Sequence, residues 1–257
     1  SVRTACSGQL GKTGGARTVK TKIIGMGVCV ALLPVIVTLI ILLVQKQKLN
    51  TSLDKNLTSQ VQDQLAGIAK NMYALCQSQQ ESLELALKGN IRVAEDVVKK
   101  RGGVKIGQEW VKWTAVNQLS GASGEITLPR LLIGDVWLEP NIDSKKFSPV
   151  VDDVVDLVGG TCTIFQRINT PGDMLRVSTT IATNGKRAIG TYIPALNPDG
   201  SRNSVIEEVL KSGSYVGRAF VVDQWYICAY KALRDAGNRI VGMVFVGIPQ
   251  ENVASLR

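Results

Sequence analysis

From Ile23 to Val44 the chain runs for 22 residues without one charged side chain. A helix of that length rises roughly 33 Å, enough to cross the hydrocarbon core of a bilayer. The segment therefore predicts a transmembrane helix, and everything after it lies on one side of a membrane. Pro34 is tolerable in such a helix, and Cys29 within it reads as a small apolar filler.

The flanks set the expected orientation. Residues 1–22 carry Arg3, Lys12, Arg17, Lys20 and Lys22 and no acidic residue, a positive-inside signature. Lys46, Lys48 and Lys55 follow the span, partly offset by Asp54. The N-terminus is thus expected in the cytoplasm and residues 46–257 outside. A cleaved signal peptide would have a shorter apolar core ending in small residues, whereas this one ends in Gln45-Lys46-Gln47-Lys48.

The 212 residues beyond the span suffice for one large domain or two small ones. Five charges of the formal net +9 belong to the N-terminal stub, leaving +4 without a dense basic run. That pattern describes an ordinary solvated surface and gives no reason to expect nucleic acid. Cys76, Cys162 and Cys228 lie outside in no regular spacing; they indicate no disulfide framework, though one pair remains open to an oxidising compartment. The chain has no histidine, which removes Ser-His-Asp and Cys-His nucleophiles, His-ligated metals and c-type haem attachment. No GxxxxGK[ST] loop is present, and Gly11-Lys12-Thr13-Gly14-Gly15 precedes the span as a flexible stub. No catalytic residue, metal site or cofactor is expected. Asp152 and Asp153, neighbours in sequence, point in different directions and have no partner acid.

After the span, Leu49, Leu53, Leu57, Val61, Leu65, Ile68, Met72 and Leu75 recur at spacings of four and three, which predicts a long amphipathic helix. The stripe resumes through Leu83, Leu87, Ile91 and Val97 and stops at Arg101-Gly102-Gly103. It can pack on its own domain or form a dimer seam; the expectation is a dimer seam in the proximal half and domain packing in the distal half.

Beyond Gly103 short runs rich in β-branched and aromatic residues alternate with turns. Strands are predicted at Val104–Gly107, Glu109–Trp113, Ile126–Ile133, Asp135–Leu138, Thr161–Gln166, Met174–Ile181, Ala188–Ile193, Gly217–Val222, Trp225–Ala232 and Ile240–Ile248. Short helices are predicted around Val205–Lys211 and in Pro149–Leu157, and turns at Asn169–Asp173, Asn184-Gly185, Asn197–Gly200, Val222–Gln224 and Asp235–Asn238. The fold class is α+β: a long helix in front of a mainly antiparallel sheet.

Several motifs in this region resemble the Cache sensor family, in its Cache 3/Cache 2 fusion form. They are Leu128-Pro129-Arg130 with Trp137-Leu138, Gly159-Gly160-Thr161 through Arg167, Gly172-Asp173-Met174 through Thr179, and Arg187 through Ile193. Gly217-Arg218-Ala219-Phe220, Trp225-Tyr226 with Ala229-Tyr230, and Val241 through Gly247 complete the set. They fall in order over residues 104–249, with the helix and the span correctly placed before them.

The resemblance implies a PAS-like sensor domain in the periplasm of a bacterium, anchored in the inner membrane, that cups a small ligand. It implies a cytoplasmic stub (1–22), a span (23–44), a helical segment (45–103), the sensor domain (104–249) and an exit segment (250–257) toward a second span. Homodimers, and cytoplasmic signalling proteins reached through parts beyond Arg257, are the expected partners. A methyl-accepting chemotaxis protein is the first expectation and a sensor histidine kinase the second. A membrane-anchored binding or scaffold protein that never signals stays open.

A small organic anion, carboxylate-like, needs a guanidinium, nearby donors and aromatic walls. Arg176 sits mid-strand among apolar neighbours, where a core-facing arginine calls for an anion. Strand alternation places Ser178 on its face, and Tyr226 and Tyr230 on one face of their own strand. Arg187, Tyr192, Arg218 and Trp137 are further candidates by motif membership. Each has a structural alternative: solvent or a surface ion pair for the arginines, core packing for the aromatics, and, for Gln166 and Arg167, a pairing with Asp173.

Overall fold

A computed structural model describes residues 15–253. Residues 1–14 of the basic stub and 254–257 of the exit segment lie outside the described residues. The chain divides into two compact units, Ser1–Ala74 and Leu75–Arg257.

Helix α1, Gly15–Lys100, is continuous over 86 residues. It contains a window of mean hydropathy 2.1, none of it buried, long and apolar enough to cross a membrane. Leu49, Leu53, Leu57, Val61, Leu65, Ile68, Met72 and Leu75 are all exposed, at 49–62%. The last turns differ: Leu87, Ile91, Ala94 and Val98 are buried, at the 4-3-4 spacing of one helix face. The predicted stop is also where the helix ends, with Gly102 and Gly103 at positive φ and the Gly103 amide returning to the Val98 carbonyl at 2.9 Å.

The second unit is built on one nine-stranded sheet. Its strands are β1 (Val104–Asn117), β2 (Ser123–Ile133), β3 (Val136–Trp137), β4 (Thr161–Arg167), β5 (Met174–Thr179), β8 (Thr191–Ile193), β9 (Ser214–Val221), β10 (Gln224–Arg234) and β11 (Ile240–Pro249). Their order is β3-β2-β1-β8-β5-β4-β11-β10-β9, antiparallel throughout except where β1 meets β8. The helices are α2 (Val151–Val158), α3 (Ser204–Ser212) and α4 (Gln250–Val253).

The sequence expectations need three corrections here. The two runs at Val104 and Glu109 are a single strand, irregular in its pairing with β2 between Ile106 and Trp110. The run Ala188–Ile193 contributes only its last three residues as β8. A separate two-stranded ribbon, β6 (Ala182–Thr183) and β7 (Lys186–Arg187), stands around the predicted Asn184-Gly185 turn, both of whose residues adopt positive φ, as a tight hairpin requires.

Alternation along the central strands separates two cores. Ile164, Leu175, Val177, Ala229, Val244 and Val246 face one side, with the end of α1 and with α2; the buried members of this layer are aliphatic apart from Trp113 and Cys162. Phe165, Met174, Cys228, Tyr230, Met243 and Phe245 face the other side, with Val205, Ile206 and Val209 of α3. Asn203 caps α3, its side chain accepting from the Val205 and Ile206 amides. Strand β9 ends the sheet, and side chains cover its carbonyls: Ser212 Oγ donates to Ser214 O, Tyr215 Oη to Arg218 O and Gln118 Nε2 to Phe220 O. Such covering blunts an edge that would otherwise pair with another chain.

Candidate functional site

Among the described residues of the second unit two arginines are buried, and they are treated in opposite ways. The five N–H groups of Arg187 all have acceptors. Nη1 and Nη2 hold the two oxygens of Asp152, both at 2.9 Å. The remaining N–H groups reach the carbonyls of Thr179 (2.7 Å), Lys146 (3.1 Å) and Asp143 (3.2 Å). Asp152 also accepts from the Ser148 amide at 2.7 Å. The clamp pins the first turn of α2 to the β6–β7 ribbon. Asp153 points elsewhere, to Arg101 at 2.7 Å and to the amide of Val150. Arg187 is therefore neither a surface ion pair nor free for a ligand; its donors are used up in holding the fold.

Arg176 is fully buried on the aromatic face. Its Nη1 donates to Thr191 Oγ1, whereas Nε and Nη2 have no partner. No described carboxylate pairs with it. The guanidinium carbon lies 5.0 Å from the Phe165 ring centroid, within cation–π range. Phe165, Tyr226, Tyr230, Tyr215 and Phe245 form one contacting aromatic group, with Tyr230 and Phe245 at 4.9 Å. Glycines two residues along the strand make room for two of these rings. A Cβ at Gly247 would lie 2.5 Å from Phe245 Cζ, and one at Gly217 would lie 2.9 Å from Tyr215 Oη.

Burial controls the electrostatics of this group. It lowers the Arg176 pKa to about 10, opposed by the neighbouring Tyr230 and Tyr226. The guanidinium stays charged at neutral pH, and holding it so costs on the order of 3 kcal/mol of folding stability. Burial and then Cys228 push the Tyr230 hydroxyl well above its usual range, against the pull of Arg176. That hydroxyl lies against the Cys228 thiol without a well-formed hydrogen bond; the thiol, itself pushed up to about 12 by burial, donates to the Gly217 carbonyl. Cys76, Cys162 and Cys228 are free thiols.

Tyr230 forms part of the wall of a cavity of about 510 Å³, whose other walls include Ile193, Asn203, Arg218, Trp225 and Gln118. That volume suits a small organic molecule. Arg218 stands over the Trp225 ring at 4.2 Å. Gln118 contributes an unpaired buried oxygen, Oε1, its Nε2 being fixed on Phe220 O at 3.3 Å. Arg176 does not line the cavity; it lies buried beside Tyr230, and Thr191, its one partner, is two residues from the lining residue Ile193 on β8. The site thus offers aromatic walls, one cation at the rim, and unpaired polar atoms on Tyr230 and Gln118, with the Arg176 guanidinium buried beside Tyr230.

The eight residues singled out from sequence do not all meet there. Tyr226 and Tyr230 do share a face, and Arg218 joins Tyr230 at the cavity. Ser178 does not share the face of Arg176: Arg176 pairs with Phe165 and Ser178 with Ile164, so Val177 is an extra residue that reverses the alternation. Ser178 sits instead 3.0 Å from Ser148 Oγ. Tyr192 pairs with Leu175 on the aliphatic face and receives Asn117 Nδ2 at 3.3 Å. Trp137 lies in the edge strand β3, stacked on Arg130 at 4.1 Å, with β2, β1 and β8 between it and β5. Gln166 binds the Pro129 carbonyl and Arg167 the carbonyls of Asn169 and Thr170, so neither pairs with Asp173. Gln118, Thr191, Phe165 and Phe245 were not anticipated. Phe165 and Phe245 lie inside quoted motifs, but nothing in the sequence marks Gln118, which follows the last residue of β1.

An antiparallel-dominated sheet, one face aliphatic and one face aromatic around a polar cavity, defines a PAS-like ligand-binding domain at the end of a long helix. Residues 50–257 match the Cache 3/Cache 2 fusion domain. The chain belongs to that family, whose domains are extracytoplasmic small-molecule sensors, and the match takes in α1 beyond its apolar span as well as the sheet. Comparison with curated proteins and with solved structures gives no match.

Proposed function

We propose that the chain is the sensing region of a transmembrane chemoreceptor that binds a small organic anion, carboxylate-like, in the cavity beside Tyr230. One observation carries this reading: a fully buried arginine with no carboxylate partner lies next to Tyr230, a residue of the cavity wall whose own hydroxyl is buried and unpaired. A carboxylate lodged there meets the Tyr230 hydroxyl and supplies the counter-charge that Arg176 lacks. Arg218 attracts the same anion at the rim.

The sensor domain is placed in the periplasm and residues 1–22 in the cytoplasm, on the strength of the basic, acid-free N-terminal flank. Strand β10 carries Tyr230 on the cavity side and Ala229 and Leu233 on the side where α1 packs, so closure around a ligand bears on α1. A homodimer along the exposed stripe from Leu49 to Leu75 makes a small helix displacement readable by a cytoplasmic module.

The test is titration of the full chain in lipid nanodiscs with small carboxylates, followed by tryptophan fluorescence, since Trp225 borders the cavity. A saturable change that Trp225→Phe removes, and that Arg176→Leu or Tyr230→Phe weakens at least tenfold, supports the reading. No response to any carboxylate rejects it. Fusion of the chain to a chemotaxis signalling module or to a kinase module then decides which output the helix can drive.

A further inference from the structure

Most polar side chains around the cavity are already engaged. Asn203 caps α3, the Asn197 amide donates to Ser201 and Arg202, and Asp199 accepts from the amide and hydroxyl of Ser201. Besides the Tyr230 hydroxyl and the stacked guanidinium of Arg218, one buried group is left over: Gln118 Oε1. It is an acceptor only, and its identity is fixed, because the other end of the amide must be the nitrogen that donates to Phe220 O. The backbone holds the residue too, its amide bonded to the Tyr192 carbonyl at 3.1 Å. The oxygen cannot be satisfied by a carboxylate, which offers only acceptors.

We propose that Gln118 is a specificity-determining residue that selects, among small carboxylates, those bearing a hydroxyl or amino group able to donate to its Oε1. This rests on the carboxylate reading above and adds the second half of the ligand: an anionic end toward Tyr230 and Arg176, and an O–H or N–H donor toward Gln118. Binding a carboxylate without such a donor leaves a buried acceptor unpaired, and sites built to pair a ligand hydroxyl or amine discriminate strongly against analogues lacking it.

The experiment compares matched probes on the full chain in nanodiscs: lactate and alanine against propionate, and malate against succinate. The expected result is at least ~10-fold tighter binding of the donor-bearing member in one pair, reduced to within about 2-fold by Gln118→Met. Circular dichroism and the unfolding midpoint show whether the variant folds, and the wild-type comparison needs no variant at all. Equal affinities on the wild-type chain overturn this proposal while leaving the carboxylate reading intact. Discrimination that survives Gln118→Met overturns the assignment to Gln118. Failure of every carboxylate to bind removes both readings together.

Discussion

The two faces of the central sheet bury arginine under different rules. On the side of α2, Arg187 has a carboxylate and three carbonyls, and every donor is used. On the side of α3, Arg176 has one hydroxyl, an aromatic ring and no acid. A buried charge with a full set of partners is part of the fold's framework. A buried charge without them is a cost that the fold tolerates, and the expected compensation is a ligand.

The largest effect expected from this contrast is at the clamp. Asp152→Ala, which strands the Arg187 charge, should destabilise the protein by about 3–5 kcal/mol in urea unfolding. A loss below ~1 kcal/mol would break the comparison by showing that Arg187 is as dispensable as Arg176. Next, Ser178→Ala leaves the buried Ser148 hydroxyl short of a partner and should cost about 1–2 kcal/mol. It should leave carboxylate affinity unchanged, because Ser178 lies on the opposite face from Arg176; a tenfold loss of binding would contradict that placement.

A smaller effect is expected at Gly217→Ala, about 1 kcal/mol, since the new methyl meets only the outer end of the Tyr215 ring and its hydroxyl. With Tyr215 displaced from the Arg218 carbonyl, the backbone N–H groups of β9 around Arg218 should exchange faster with solvent.

The smallest change in stability is the most discriminating. Arg176→Leu should leave the ligand-free protein at least as stable as the parent at pH 7. The wild-type penalty is present in full below pH ~10, where Arg176 is charged in both states, and fades as pH rises from there toward the ordinary arginine range. The stability advantage of the leucine variant should therefore shrink above pH 10. A variant destabilised by several kcal/mol at pH 7 would place Arg176 in the structural class of Arg187.

Much of the frame was legible in the chain. The uncharged run at Ile23–Val44 and the 3-4 stripe after it specify helix by composition and period alone, and glycines at 102 and 103 specify where it ends. The strands followed from β-branched and aromatic runs between turn residues, because a two-residue period and turn chemistry are local properties. The pairing of Tyr226 with Tyr230 on one face needed only that period.

Tertiary structure decided the rest. One extra residue at Val177 reversed the face of Ser178, and no local signal announces a bulge of that kind. Arg176 sits mid-strand among apolar residues and Arg187 just after the Asn184-Gly185 turn, which would have favoured burial of the first and exposure of the second; only the fold buries both, brings Asp152 to Arg187 and denies an acid to Arg176. Gln118 reaches the cavity because β1 ends beside Phe220 across 102 residues of chain. Secondary structure is set by neighbours within a few residues, which the sequence displays. The partners of a buried charge come from anywhere along the chain, and the folded sheet alone determines which of them meet.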